Sequence, residues 1–316
     1  MPARIFGTSL VDTPIAGARR LVRRGATCEV IAQRRDARYV RLVAVETASI
    51  PSSMIRAPVG ELLRTWRRRR SLSQLELALE ADVSSRHVSF LETGRARPSR
   101  EMVLRLAEHL EIPLRERNGL LLAAGYAPQY VERSLDAPEM APVHQALDRF
   151  LRAHEPYPAV ILDRHYNIVS ANDATSVLTV GIAPELVGPP ANALRATLHP
   201  DGMAPLILNL PEWSGHLLHR LRRQAALTGD PELGQLYEEL SAYPGVTLEP
   251  PHDERVGDDI VLTLRINAGE RELAFFSTVS TFGTAVEITL AELMIEAFYP
   301  ANAATAAYLL QGIAGL

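Results

Sequence analysis

The 316-residue chain has no lysine: all 33 of its basic residues are arginine. Arginine is specifically required only where a planar, bidentate contact is made, so surface chemistry alone does not exclude lysine from every position. The codon composition of a GC-rich genome accounts for most of the absence. Cysteine is almost missing too. Cys28 stands alone and cannot close an intrachain disulfide, which points to a reducing, cytoplasmic compartment. No apolar run approaches the roughly 20 residues of a membrane span. The Ala-rich C-terminal stretch is broken by Asn302, Thr305, Gln311 and Gly312. GxSxG, Walker, CxxC and HExxH motifs are all absent, as is any paired-carboxylate signature, so the expectation is that the chain is not an enzyme. With 47% hydrophobic and 22% charged residues, the composition excludes a disordered or collagen-like protein.

What charge there is lies unevenly. Residues 1–53 carry 9 Arg against 4 acids, residues 54–133 carry 14 against 10, and residues 134–316 carry 10 against 23. A nearly neutral chain is therefore a basic front joined to an acidic back. Such asymmetry points to nucleic acid at the basic end, and the acidic half, which a polyanion repels, needs another task.

Residues 1–53 show no clean period beyond a short strand pattern at Arg38–Val45. They lack the apolar core of a secretory signal. Met54 is followed at once by a domain-like pattern, so 1–53 is read as an extension that is disordered or not part of the translated protein.

From Val59 the pattern becomes helical, with Leu62, Leu63 and Trp66 on one stripe and Arg67 to Arg70 behind it, either a solvated face or a DNA contact. Ser73-Gln74-Leu75-Glu76 is a capping box opening a short helix to about Ala81. A turn at Asp82-Val83-Ser84 precedes a second short helix, from Ser84 or Ser85 to Thr93. Asp82 occupies the turn position usually given to Gly, and Asp tolerates a left-handed backbone. Gly94 sits where a left-handed stop is wanted. Ser99 and Glu101 open a fourth helix with Met102, Val103, Leu106 and Leu110 on its face, and a fifth runs from about Pro113 to Gly125. Ala78 marks a close helix crossing, Val88 and Leu91 are core, and His87 is expected beside Val88 rather than on a base. Glu92 is expected to bond neighbouring backbone. Five short basic helices with a tight turn between the second and third predict a helix-turn-helix.

The motifs Ser73-Gln74-x-x-Leu77-Ala78, Val83-Ser84, Val88-Ser89, Leu91-Glu92-x-Gly94 and Arg97-Pro98-Ser99 resemble the Cro/repressor-type (XRE) helix-turn-helix family over Val59 to Gly125. The resemblance implies that Gln74 meets a phosphate at a helix start. It places Ser84, Ser85, Arg86 and Ser89 toward the major groove, with Arg86 able to pair with guanine in a bidentate fashion. Arg95, Arg97 and Arg100 would clamp the backbone.

Residues 127–142, with Pro128, Pro138 and Pro142, read as a linker. A helix carrying Leu147, Phe150 and Leu151 follows, and Ala159–Asn172 reads as a hairpin. A long helix then passes through Trp213, Leu217, Leu218, Leu221 and Ala225, and another covers Leu233 to Leu240. Strands are expected at Ile260–Ile266, Leu273–Thr281 and Ile288–Phe298, with a last helix over Ala303–Leu310. The fold class is α+β: an all-α five-helix helix-turn-helix domain (54–126), then a five-stranded antiparallel sheet with helices on one face (143–316). The first hairpin, the helices and the three closing strands resemble a PAS-type sensor. Together with Arg115-x-Arg117-Asn118-x-Leu120-Leu121-x-Ala123-x-Gly125-Tyr126, they resemble the MmyB-like one-component regulators over most of 56–312; the run Phe275-Phe276-Ser277-Thr278-x-x-Thr281-Phe282-Gly283-Thr284 fits a loosely defined subgroup of them. That likeness implies a small, hydrophobic ligand such as a fatty acid in a PAS-like cavity. Trp213, Phe275, Met294 and Phe298 are the candidate lining, and each also suits plain core. His216-x-x-His219, with His199 and His252, is the nearest approach to a metal set; no metal and no cofactor are expected.

The function expected from the sequence is a ligand-responsive transcription regulator in the cytoplasm, on the nucleoid. It would act as a homodimer on double-stranded operator DNA, with no membrane partner. The alternative is a protein-interaction adaptor whose helical head no longer binds DNA; a metal-dependent enzyme in the back half is a third.

Overall fold

The computed structural model describes residues 57–248 and 261–314. The extension 1–53, with Cys28, and the position of His252 lie outside the described residues, as does the start of the strand expected at Ile260.

Five helices build the front: α1 (Val59–Arg69), α2 (Gln74–Glu80), α3 (Ser85–Glu92), α4 (Arg100–His109) and α5 (Leu114–Ala123). Local chemistry sets their ends. The Ser73 hydroxyl accepts from Glu76 N while Ser73 N donates to Glu76 Oε2, so the capping box is complete. Ser84 and Ser99 cap α3 and α4 by accepting from His87 N and Met102 N. Asp82 takes φ 51° and Gly94 φ 72°, the left-handed residues that the turn and the helix stop demand. Leu63, Trp66, Leu77, Ala78, Val88, Leu91, Val103, Leu106 and Leu121 fill one core between the helices.

The back half is an antiparallel five-stranded sheet with helices. Its strands are β1 (Ala159–Leu162), β2 (Ile168–Ala171), β3 (Leu264–Ala268), β4 (Arg271–Thr281) and β5 (Met294–Pro300), in the order β2-β1-β5-β4-β3. The first strand therefore pairs with the last, Ile161 opposite Ile295. Helix α6 (Ala141–His154) crosses one face, where Leu147 and Leu151 meet Ala159, Ile161, Leu293 and Ile295. The other face carries α7 (Ser176–Thr179), α8 (Pro184–Val187), α9 (Ala193–Leu198), α10 (Leu210–Thr228) and α11 (Pro231–Ser241), around a larger core that holds Leu162, Tyr166, Trp213, Leu217, Leu221 and Phe275. Helices α12 (Ile288–Ala291) and α13 (Ala303–Ala314) complete the chain. The alternation in β1 explains the two cores: Val160 and Leu162 face one, Ala159 and Ile161 the other.

Three expectations change. The sheet expected to carry helices on one face carries them on both, because Ala159 and Ile161 are covered by α6 while Val160 and Leu162 face the larger helical core. The strand expected over Ile288–Phe298 begins at Met294, because Glu287 caps a helical turn before it, accepting from Leu290 N at 2.8 Å. Residues 129–133 of the expected linker are a bonded strap. Asn118 Oδ1 accepts from Gln129 N and Tyr130 N, Ile288 N donates to Val131 O, and Arg133 N donates to Glu287 Oε1.

Candidate nucleic-acid interface and ligand cleft

Glu92 organises the front. Its side chain is 1% exposed, and Arg67 reaches it with two bonds, Nε–Oε1 at 2.6 Å and Nη2–Oε2 at 2.9 Å. Gln74 Nε2 adds a third at 2.8 Å. Burial pushes the Glu92 carboxyl up, but the bonds from Arg67 and Gln74 outweigh it and leave its pKa below the ordinary value. Glu92 therefore bonds side chains of α1 and α2, where a backbone partner was expected. Through it, Gln74 at the start of α2 is fixed to the far end of α3.

The side chains expected at the groove lie on α3 and the turn behind it. Ser84, Ser85 and Arg86 are exposed at the helix start, and Ser89 is half-buried one turn later. His87 is half-buried beside the buried Val88. The sequence reading missed Phe90. The Arg86 guanidinium lies 5.1 Å from the centre of its ring and that of Arg95 5.9 Å, so one half-buried ring holds both cations. The i, i+4 spacing of Arg86 and Phe90 was the available signal. Arg97 is exposed. Arg100 turns instead to the strap, donating to Gln129 Oε1 at 3.0 Å. The Arg67–Arg70 run splits in role: Arg67 is buried on Glu92, Arg68 is exposed, and Arg69 and Arg70 lie over Trp66.

The back half opens in a cleft of about 760 Å³ between α7, the turn at 200–206, β3 and α13. Its wall is apolar, with Leu178, Met203, Leu206 and Ile266, and is tipped by Asp201, Asn267 and Tyr308. None of Trp213, Phe275, Met294 and Phe298 lines it. Trp213 and Phe275 are 4% and 0% exposed in the core, while Met294 and Phe298 are half-buried against it. Yet Trp213 Nε1 is buried with no hydrogen-bond partner, as is Arg220 Nε. Such orphaned donors are rare in a settled core.

His216 and His219 share α10, and His216 stacks on Trp213 at 5.9 Å. Burial and the Arg220 charge pull the His216 pKa down. His199 stands elsewhere, edge-on to Tyr243 and accepting from Asp201 N. Among the described residues no three His, Cys, Asp or Glu side chains group to hold a metal ion, and no helix is long and apolar enough to cross a membrane.

The two halves are joined by Arg115, which is 6% exposed. It grips Glu292 through Nε at 2.8 Å and Nη2 at 2.9 Å, and Glu132 through Nη1 at 2.8 Å and Nη2 at 2.6 Å. Burial lowers its pKa, but the two carboxylates more than reverse this and hold it above the ordinary arginine value.

Comparison with protein families agrees with this division. Residues 63–117 match a helix-turn-helix model, and residues 143–311 match the MmyB-like transcription regulator ligand binding domain. No curated protein is similar enough to match. The second model spans more than half of the chain and falls on the sheet and its helices, while the first falls on the helices that present Gln74 and Arg86. The chain thus belongs to the MmyB-like transcription regulators: it is a DNA-binding regulator with an XRE-type helix-turn-helix head and a ligand-binding domain.

Proposed function

We propose that this regulator reads operator DNA as a homodimer and that a small, apolar ligand such as a fatty acid alters how it does so. The observation that carries the reading is the exposed start of α3. There Ser84, Ser85 and Arg86 stand free of the core, with Arg86 and Arg95 ordered on Phe90. Arg86 would pair with a guanine edge, and Ser84, Ser85 and Ser89 would lie along the groove. Gln74, Arg95 and Arg97 would take phosphates, as would Arg100 on leaving Gln129. Two heads would engage half-sites about one helical turn apart.

The cleft at 177–206 is the proposed ligand entrance, because its wall is apolar and open. Trp213 Nε1 is a buried donor that a ligand acceptor would satisfy, and Phe275, Met294 and Phe298 belong to the same core. With DNA as its partner, the protein would act on the nucleoid, in the cytoplasm. No catalytic role is proposed.

Arg86→Ala and Arg97→Ala test the groove assignment in the full chain, titrated on DNA from upstream of its own gene. Arg86→Ala is expected to relax base choice at one position, at a cost of about 1–3 kcal/mol on the preferred base. Arg97→Ala is expected to weaken all sequences alike and to lower the salt slope by about one. Unchanged binding by both variants would favour an adaptor that does not read DNA.

A further inference from the structure

Helix α10 joins the cleft to the reading head. Its 19 residues span about 28 Å at 1.5 Å each. Just before it, Pro205 and Leu206 form part of the cleft wall. The helix start is pinned to β3 and its approach: Leu208 N donates to Arg265 O, Asn209 Nδ2 to Thr263 O, and Arg265 N to Asn209 Oδ1. Between its ends Trp213, Leu217, Leu218 and Leu221 are buried in the core, so the helix moves as one body or not at all.

Its other end touches the head. The last carbonyls of a helix lack intrahelical donors and carry the negative end of its dipole. Here two arginines at the end of α1 supply both needs: Arg70, at the C-cap, donates through Nη1 to Leu227 O at 3.0 Å, and Arg69, in the last turn, donates through Nη1 to Thr228 O at 3.4 Å. Helix α10 stops at Gly229 with φ 66°, and a Cβ there would fall on the Arg69 guanidinium. Arg69 and Arg70 rest on Trp66, at the centre of the head's core, and Arg67 in the same turn holds Glu92 and, through it, Gln74. The grip lies on α1, while Ser84, Ser85 and Arg86 stay exposed.

We propose that α10 is a rigid lever that couples the cleft to the DNA-reading head through Arg69 and Arg70, so that occupancy of the cleft sets the head's orientation and leaves its reading face uncovered. The regulatory meaning rests on the cleft being the ligand site. The mechanical claim does not, and coupling between two sites is reciprocal: releasing the head must be felt at the cleft.

Amide hydrogen exchange on the full chain, without ligand or DNA, reads this directly. The double variant Arg69→Gln/Arg70→Gln removes the grip from the head. Gly229→Asn removes it from the effector side, since Asn tolerates a left-handed backbone and its Cβ displaces Arg69. Both are expected to speed exchange of the Leu208 and Arg265 amides at least threefold, and Arg68→Gln, at the exposed neighbouring arginine, to leave them unchanged. Arg70 also holds the carbonyls of Leu110 and Glu111; if the double variant fails to fold, Gly229→Asn decides. Faster exchange confined to Ala225–Gly229, with Leu208 and Arg265 as in the parent, would overturn the lever. Binding of lauric acid to the unmodified chain is measured separately, so failure of the ligand reading is not confused with failure of the lever.

Discussion

Arg67 and Glu92 form an almost fully enclosed ion pair in a domain whose outer surface is rich in arginine. Removing one member of a buried pair leaves the other uncompensated, which costs about 3–5 kcal/mol. Glu92→Gln is therefore expected to lower the unfolding free energy of the head by about 3 kcal/mol, measured by denaturant titration of the full chain. Acid should act in the same place. The folded carboxyl has a pKa below its unfolded value of about 4.3, so its stabilisation is complete above that pH. It is lost as pH falls through the folded value. Unfolding followed from pH 7 down to pH 3 should show the parent losing head stability below about pH 4, and Glu92→Gln losing less. The pair was not legible beforehand: its members lie 25 residues apart, and nothing local distinguishes Arg67 from the three arginines after it. Phe90 left only a weak signal, since its i, i+4 spacing to Arg86 suits an ordinary helix face as well as a cation platform.

The helices of the head were legible because their ends are fixed by neighbours in sequence. Ser73 with Glu76, Ser84, Asp82, Gly94 and Ser99 all do in space what their side chains favour locally. Ser99→Ala should cost about 1 kcal/mol, read as a lower thermal midpoint for the head. Where the ends depend on remote partners the reading failed. Ile288–Ala291 is apolar and β-branched enough for a strand, but Glu287 caps it as a helical turn, and Ile288 N and Thr289 Oγ1 are tied to Val131 and Arg133 of the strap. The strap depends likewise on Asn118, which bonds the backbone of Gln129 and Tyr130 three times. Asn118→Ala should cost about 2 kcal/mol through lost buried hydrogen bonds. It should also speed amide exchange at Tyr130, an effect that a free linker would not show.

The joining of the two halves follows from charge. A basic head and an acidic effector domain meet at Arg115, between Glu132 on the strap and Glu292 beside β5. Arg115→Gln removes the cation between those two carboxylates and leaves Glu292 with the longer Arg164 contact at 3.8 Å. Calorimetry of the full chain should then show the head and effector transitions drawing apart, where the parent shows them overlapping; an unchanged trace would mean that the clamp does not couple them. The order of helices and strands in both halves could largely be read from hydrophobic period and turn chemistry. The cleft could not: it lies between α7, β3 and α13, and which apolar residues line a cavity and which fill a core depends on packing between distant segments. That is why Trp213 and Phe275, sensible candidates by residue type, lie in the core while Leu206 and Ile266 line the opening.

DNA reading by the head is the claim on which ligand response and lever both depend for their meaning. It is tested most directly by titrating the full chain on DNA from upstream of its own gene at 50 and 200 mM salt. Three arginines on each of two heads would release about six counterions' worth of charge, so affinity should fall about 10³-fold between the two conditions, with specific binding surviving competitor DNA at the lower salt. A folded protein that binds no more tightly to that DNA than to competitor, or whose binding ignores salt, would contradict the account.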